Sequence, residues 1–187
     1  LLIIGVTLIA IIGNYWLVTG IVRTNAETET VAVALRNHVE GDMMHDAIRS
    51  SIYKAEIARL SGDSKLAREA QADRKRYSGW YERVLVENRK LALSADVKSK
   101  IATLAKPIAD YIASAGTAMA AINDDAGNRT LLIESFEGQF ATLEKAQLNV
   151  SEVLEQSVRL SRNKARRQGN IAVIGVTLLS ILILAAI

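Results

Sequence analysis

Two uncharged apolar stretches, one at each end of the chain, place the strongest constraint on how this sequence folds. Residues 1–22 (LLIIGVTLIAIIGNYWLVTGIV) and 171–187 (IAVIGVTLLSILILAAI) contain no charged residue, although charged residues make up 23% of the 187-residue chain. As a helix, the first stretch would extend about 33 Å, enough to cross the hydrocarbon core of a bilayer. The second is at the short limit for a span, and we expect the chain to continue beyond Ile187. We therefore predict transmembrane helices over residues 1–22 and 169–187.

Charge and cysteine content argue against one class of partner, nucleic acid, but they do not decide on which side of the membrane residues 23–168 lie. The net charge of +3 is small and the basic residues are mixed with acidic ones, so we expect no nucleic-acid partner. Basic residues crowd positions 159–167, where we expect them to contact lipid headgroups. Such a cluster favours the cytoplasm, but a segment as long as 23–168 can be translocated regardless of its charge. The lack of cysteine fits the periplasm and a reduced cytoplasm equally well.

The middle segment, residues 23–168, has the apolar period of α-helices. Apolar residues recur at spacings of three and four, which is typical of a helix that packs one face against partners. The most regular series runs over residues 97–122, and Pro107 within it is predicted to bend this helix without ending it. The preceding series includes Tyr77 and Trp80, which predicts that both rings lie on a core face.

Turn signals divide the middle segment into four predicted helices. Gly62 can end one helix and the polar residues beside it can cap the next, while Ser94 is a typical N-cap. A third turn, over residues 123–128, is rich in Asn, Asp and Gly. Because short turns join antiparallel neighbours, these signals predict an all-α fold: an antiparallel up-down four-helix bundle whose helices 1 and 4 continue into the transmembrane helices. The predicted helices run over about residues 23–61, 64–92, 95–123 and 129–168.

This layout, together with the phrase MMHDAIR at residues 43–49, resembles the N-terminal half of bacterial methyl-accepting chemotaxis receptors. The resemblance in the arrangement of helices extends over essentially the whole chain, whereas the resemblance in amino-acid sequence is limited to those seven residues. The resemblance implies a homodimeric signal-transduction receptor in the bacterial inner membrane, with residues 23–168 as a periplasmic ligand-binding domain. It also implies that helix 4 moves against helix 1 and transmits the signal across the membrane.

The first two predicted helices hold a candidate binding site for a small solute. His45 and Arg49 lie on one helix face, 12 to 16 residues from the turn at Ser61, and the same distance along the second helix reaches several aromatic residues. Arg49 could bind a carboxylate with two hydrogen bonds, so we expect an amino acid or organic acid. The resemblance adds Lys54, because amino-acid receptors of this family carry basic residues in this part of helix 1. The candidate ligand-binding residues are His45, Arg49, Tyr53, Lys54, Asp73, Tyr77 and Trp80.

Other interpretations of the same residues stay open. His38, Asp42 and His45 share one face and have the donor types of a zinc or copper site, but no fourth ligand is evident, so we predict no metal. The face from His38 to Arg49 is alternatively a dimer contact. In a purely structural interpretation, Asp46 and Arg49 form a solvated intrahelical pair and the rings of the second helix belong to the core.

For the chain as a whole, two classes of function remain. No nucleophile–base pair is evident, so we predict no enzyme activity, no catalytic residues and no cofactor. The leading hypothesis is the sensor region of a chemoreceptor. The alternative is a membrane-anchored helical bundle without a direct small-molecule ligand, either the sensor of a histidine kinase or cyclase or a module that recruits a protein partner.

Overall fold

The chain is helical throughout the part that can be described. The computed structural model describes residues 2–124 and 127–185, apart from the side chains of residues 2–4, 6, 7, 9 and 182–185. Within these residues there are helices and no strand, which confirms the all-α prediction. The predicted turn over 123–128 and the outermost residues of both predicted spans lie partly outside the described residues. The helices are α1 (Leu2–Ser61), α2 (Ser64–Lys90), α3 (Ala95–Ala102), α4 (Ala105–Asn123) and α5 (Arg129–Ala185).

These helices divide between two compact units, and both α1 and α5 contribute residues to each unit. The first unit consists of the residues up to 32 and those from 156 onward, and the second consists of residues 33–155. In the first unit, the buried Thr24 hydroxyl donates a hydrogen bond to Gln168 Oε1. Among the residues that the structure describes, no helix is both long and apolar enough to cross a membrane. The transmembrane continuation is therefore not confirmed and stays a prediction.

The first two turns form as the sequence predicts. Gly62 ends α1 with φ +70°, a backbone conformation that glycine adopts without strain. The N–H of Asp63 then donates to the Ala58 carbonyl at 2.9 Å, which completes the helix end. The Asp63 carboxylate accepts hydrogen bonds from the N–H groups of Lys65 and Leu66 and so begins α2. Ser94 caps α3 in the same way.

Pro107 has a larger effect than predicted, because the third predicted helix is interrupted. It divides into α3 and α4 at residues 103–104, and Pro107 lies in the first turn of α4. Proline has no N–H to donate to the carbonyl four residues earlier, which is that of Thr103, and its ring crowds that carbonyl. The N–H groups of Thr103 and Leu104 bond instead to carbonyls three residues earlier, which tightens the chain there. The prediction of a bend within one helix was wrong.

The core of the second unit confirms the predicted apolar series of α3 and α4 and corrects that of α2. In α2, the buried ring is Tyr81, which is 3% exposed, whereas Trp80 is 36% exposed. The prediction that Trp80 lies on the core face was wrong by one residue, which amounts to about 100° around a helix. All eight residues predicted for the face of α3 and α4 are buried: Val97, Ile101, Leu104, Ile108, Tyr111, Ala115, Ala118 and Ile122.

Helix α1 buries large apolar side chains such as Ile48 and Ile52, and it also contacts α2 through polar groups. Asn88 Nδ2 donates to the Ala34 carbonyl at 3.3 Å, and Lys54 Nζ lies 3.1 Å from Asp73 Oδ2. Residue numbers rise along α1 as they fall along α2, so the two helices run in opposite directions in this unit. Val39 belongs to the looser apolar series that predicts the core face of the first helix, together with Val31 and Leu35, but it is 50% exposed.

A close approach between α1 and α2 predicts a stability effect at Gly41. A Cβ added there would lie 2.9 Å from Cε2 of the buried Tyr81 ring, so we expect Gly41→Ala to destabilise the protein by about 1–3 kcal/mol. Alanine favours a helix over glycine, and the control Gly79→Ala, with nothing within 4 Å, should stabilise by about 0.5–1 kcal/mol. Urea unfolding of the full chain measures both changes. A stabilising Gly41→Ala would contradict the tight contact.

Candidate functional site

Arg49 of α1 forms the best-defined polar contact between α1 and α5. Its Nε lies 3.1 Å from Glu137 Oε1 and one terminal nitrogen lies 2.6 Å from Oε2, so the guanidinium binds the carboxylate with two hydrogen bonds. The Tyr53 hydroxyl donates to the same Oε1 at 2.9 Å. The Arg49 and Glu137 side chains are 38% and 27% exposed, so solvent reaches both partners. This hydrogen bonding raises the pKa of Arg49, which therefore stays charged.

Two aromatic rings lie close to this guanidinium. The Arg49 Cζ atom lies 4.2 Å from the centre of the Phe140 ring and 5.7 Å from that of Tyr53. A guanidinium over a ring face is stabilised by a cation–π interaction. The cluster of Arg49, Tyr53, Glu137 and Phe140, which we call the Arg49 cluster, thus combines a planar cation, a carboxylate and two apolar walls at a rim open to solvent.

His45 lies one helical turn from Arg49 but points into the core. It is 1% exposed, with its ring stacked on Phe140 at 3.9 Å between centres and edge-on to Tyr111 at 4.8 Å. The Tyr111 hydroxyl donates to the His45 backbone carbonyl at 2.8 Å. Burial lowers the pKa of His45 to about 4, although the nearby Asp46 carboxylate acts in the opposite direction. The ring is therefore neutral at pH 7, and it packs against Phe140 of the Arg49 cluster.

Lys54, Asp73 and Tyr77 belong to a second polar cluster, between α1 and α2. Lys54 Nζ lies 3.1 Å from Asp73 and 3.2 Å from Glu69, so two carboxylates already surround this cation. Arg76 binds Asp73 at 2.9 Å and donates to the Tyr77 hydroxyl at 2.8 Å. The ion pairs within this cluster are satisfied by its own members.

Trp80 lies apart from both clusters, beside an open groove. Its Nε1 donates to Glu40 Oε1 at 2.6 Å. The groove has a volume of about 480 Å³ and is lined partly by exposed apolar residues, among them Val39 and Met43. This position gives Trp80 no contact with Arg49.

The structure therefore brings together only part of the predicted site. Arg49 and Tyr53 meet at Glu137, while Lys54, Asp73 and Tyr77 form a separate cluster, and His45 is buried. Sequence reasoning missed Glu137 because that residue lies 88 positions from Arg49. Its neighbours give one usable signal, because Phe136 and Phe140 belong to the apolar series at spacings of three and four that predicts the core face of the fourth helix. An acidic residue that lies between two aromatic residues of a core face is a candidate for the edge of the core, where solvent reaches its carboxylate.

The structure also bears on the interpretation in which His38, Asp42 and His45 form a metal site. His38 is 5% exposed, and its Nε2 lies 3.1 Å from the Gln147 carbonyl oxygen and 2.9 Å from Ser151 Oγ. Burial lowers its pKa. Over the described part of the chain, no group of three or more His, Cys, Asp or Glu side chains is arranged to hold a metal ion. The His38 ring thus contacts polar groups of α5, whereas the His45 ring packs against aromatic rings of α4 and α5.

Comparison of the chain with models of known protein families, with curated proteins and with solved structures finds no match. The resemblance to chemotaxis receptors, and with it the function, stays a prediction.

Proposed function

We propose that this chain is the sensor region of a transmembrane chemotaxis receptor of the bacterial inner membrane. In this proposal the terminal apolar stretches cross the membrane and residues 23–168 form an antiparallel four-helix bundle in the periplasm. A small amino acid or organic acid is the ligand, the receptor is a homodimer, and the basic residues at 159–167 contact lipid headgroups. The signal is a displacement of α5 against α1, the two helices that the Arg49 cluster joins.

The observation that supports this proposal most strongly is the Arg49–Glu137 pair. The guanidinium holds a carboxylate in the two-bond geometry that a ligand carboxylate would use, at a rim that solvent reaches. Glu137 belongs to α5, so a ligand that takes its place at Arg49 releases α5 from α1 at this level. A ligand needs only a few kcal/mol of preference for the released arrangement to shift the population of receptors.

Two substitutions in the purified full chain test this site by isothermal titration calorimetry against a panel of amino acids and organic acids. Arg49→Ala should abolish binding of any acid that binds the wild type, because it removes the guanidinium of the Arg49 cluster. Glu137→Gln should increase the affinity for a simple organic acid several-fold, because the competing carboxylate is gone. The control Arg83→Ala changes an exposed arginine of α2 and should leave the affinity unaltered.

The outcome for Glu137→Gln also reports on the ligand. An acid with an amino group that uses Glu137 as its partner would lose affinity in this variant while keeping its dependence on Arg49. Binding that is unchanged in Arg49→Ala would place the ligand elsewhere and contradict the proposed site.

A second candidate function, recruitment of a protein partner without a solute, is favoured by the exposed apolar residues of α1. Val39, Met43, Ile57 and Leu60 are 50–70% exposed, and the first two line the groove beside Trp80. Exposed apolar patches of this kind are typical of interaction surfaces. A chain that binds none of the acids but forms a stable dimer or complex would support this candidate over the first.

A further inference from the structure

The open groove beside Trp80 is large enough for a small molecule and belongs to neither polar cluster. Its volume is about 480 Å³, within the range of about 300–1,000 Å³ that is usual for ligand pockets. We call this space the Trp80 groove. Arg36, which lines it, and Arg49 are 13 positions apart, about 20 Å along α1, so one small molecule does not reach both. Besides Trp80 of α2, its walls are Arg36, Val39, Glu40, Met43 and Met44 of α1.

The apolar walls of the Trp80 groove suit an aromatic ring. The Trp80 side chain is 36% exposed, and the hydrogen bond from its Nε1 to Glu40 Oε1, 2.6 Å long, fixes how the indole is presented. Met43 is 61% exposed on the same groove. Indole rings pack favourably on other aromatic rings, and methionine sulfur makes favourable contacts with them. An aromatic molecule bound here would remove this apolar surface from water.

The charged groups of the Trp80 groove narrow the chemistry of the ligand further. Within the described part of the chain, the Arg36 guanidinium has no ion pair or hydrogen bond, and the Glu40 carboxylate uses only Oε1. A free guanidinium stacks on aromatic rings, and the second oxygen of a carboxylate accepts from an O–H or N–H donor. The opposite charges of Arg36 and Glu40 offset each other, so this groove favours an uncharged ligand over an ion.

We propose that the Trp80 groove binds an uncharged aromatic molecule with one hydrogen-bond donor, of the class of phenols and indoles. The ring packs on Trp80 and Met43, and its O–H or N–H donates to Glu40 Oε2. Since the indole N–H of Trp80 holds Oε1, each oxygen of the carboxylate then has its own partner. This site is separate from the Arg49 cluster in both place and chemistry. It joins α1 and α2, whereas the Arg49 cluster joins α1 and α5.

Isothermal titration calorimetry of the purified full chain with phenol tests this site, and anisole is the matched probe. Anisole has the same ring but carries a methyl ether in place of the hydroxyl, so it has no hydrogen to donate. We expect phenol to bind at a single site and anisole to bind about tenfold more weakly, the effect of one lost hydrogen bond to a charged group. Equal affinities for phenol and anisole would overturn the role of Glu40 and with it the proposal.

Substitutions in the groove place the bound phenol. Trp80→Ala should weaken phenol binding by about tenfold, because it removes the aromatic wall. Met43→Glu introduces a charge on the apolar wall and should also weaken binding; the residue is 61% exposed, so the fold should persist. Neither variant should alter the binding of an acid at Arg49, so this site and the proposed sensor site succeed or fail independently.

The chain has two tryptophans, which supplies the control and an optical measurement. Trp16→Ala should leave phenol affinity unaltered, and in this variant the fluorescence of Trp80 alone should change saturably as phenol is added. Phenol binding that persists unchanged in both Trp80→Ala and Met43→Glu would overturn the proposal. So would Trp80 fluorescence that responds to protein concentration but not to phenol, because it would assign the groove to a second copy of the chain.

Discussion

Replacement of Tyr111 by alanine is expected to destabilise the helical unit of residues 33–155 by about 3–5 kcal/mol, the range for removing a fully buried aromatic ring. Tyr111 is 0% exposed and contacts the rings of three residues on two other helices, namely His45 on α1 and Phe136 and Phe140 on α5. The deletion would leave a cavity that these three rings cannot fill. Urea unfolding followed by circular dichroism measures the loss.

Two further variants separate the contribution of the buried ring from that of its hydroxyl hydrogen bond. Tyr111→Phe keeps the ring and should cost only about 0.5–1.5 kcal/mol for the lost hydrogen bond to the His45 carbonyl. Tyr53→Ala removes a ring that is 43% exposed and should cost much less than Tyr111→Ala. Equal losses for Tyr53→Ala and Tyr111→Ala would contradict the central position of Tyr111.

Acid is expected to weaken the fold through His45. The pKa of His45 falls from its ordinary 6.5 to about 4 in the folded protein, chiefly because burial disfavours the charged ring. Between these values the unfolded chain binds a proton that the folded protein does not, so stability rises with pH and is lost as the pH falls. Since one pKa unit corresponds to about 1.4 kcal/mol, roughly 3 kcal/mol is lost between pH 6.5 and 4.

The free energy of unfolding measured from pH 7 to pH 4, for the wild type and for His45→Phe, tests this prediction. The variant keeps an aromatic ring next to Phe140 and Tyr111 but does not titrate, so its free energy should depend less steeply on pH. His38, whose pKa is also lowered by burial, remains in both proteins, and its contribution cancels in the difference. Parallel curves for the two proteins would show that His45 titrates normally.

The segment from His45 to Arg49 shows how closely spaced residues acquire separate roles on one helix. His45 and Arg49 are four residues apart and so lie on the same side of α1, but the long arginine reaches outward to the rim while the imidazole stays in the core. Asp46, one residue further round the helix, is exposed. In place of the alternative Asp46–Arg49 pair, the structure has Arg49–Glu137, because α5 places a carboxylate within hydrogen-bond distance of Nε and one terminal nitrogen of the guanidinium.

The core faces show where inference from apolar periodicity works and where it does not. For α3 and α4 the series from Val97 to Ile122 is both apolar and buried, so the pattern identifies the face directly. In α1 the face that meets α2 uses Ala34 and Gly41, because two helix backbones approach closely only where side chains are small. The predicted apolar series of α1 is buried at Ile48 and Ile52, but it also includes Val39, which is exposed.

The sequence by itself determined the helical content, the residues that end α1 and cap α2 and α3, and the apolar face of α3 and α4, because each depends on backbone preferences or spacing within a few residues. Only the tertiary structure decided that Glu137 binds Arg49, that Tyr81 replaces Trp80 in the core and that Lys54 belongs to a second cluster. These pairings join residues 15 to 88 positions apart, and the rotation of each helix about its axis sets them. Such rotation results from the packing of all the helices together, which no single segment encodes.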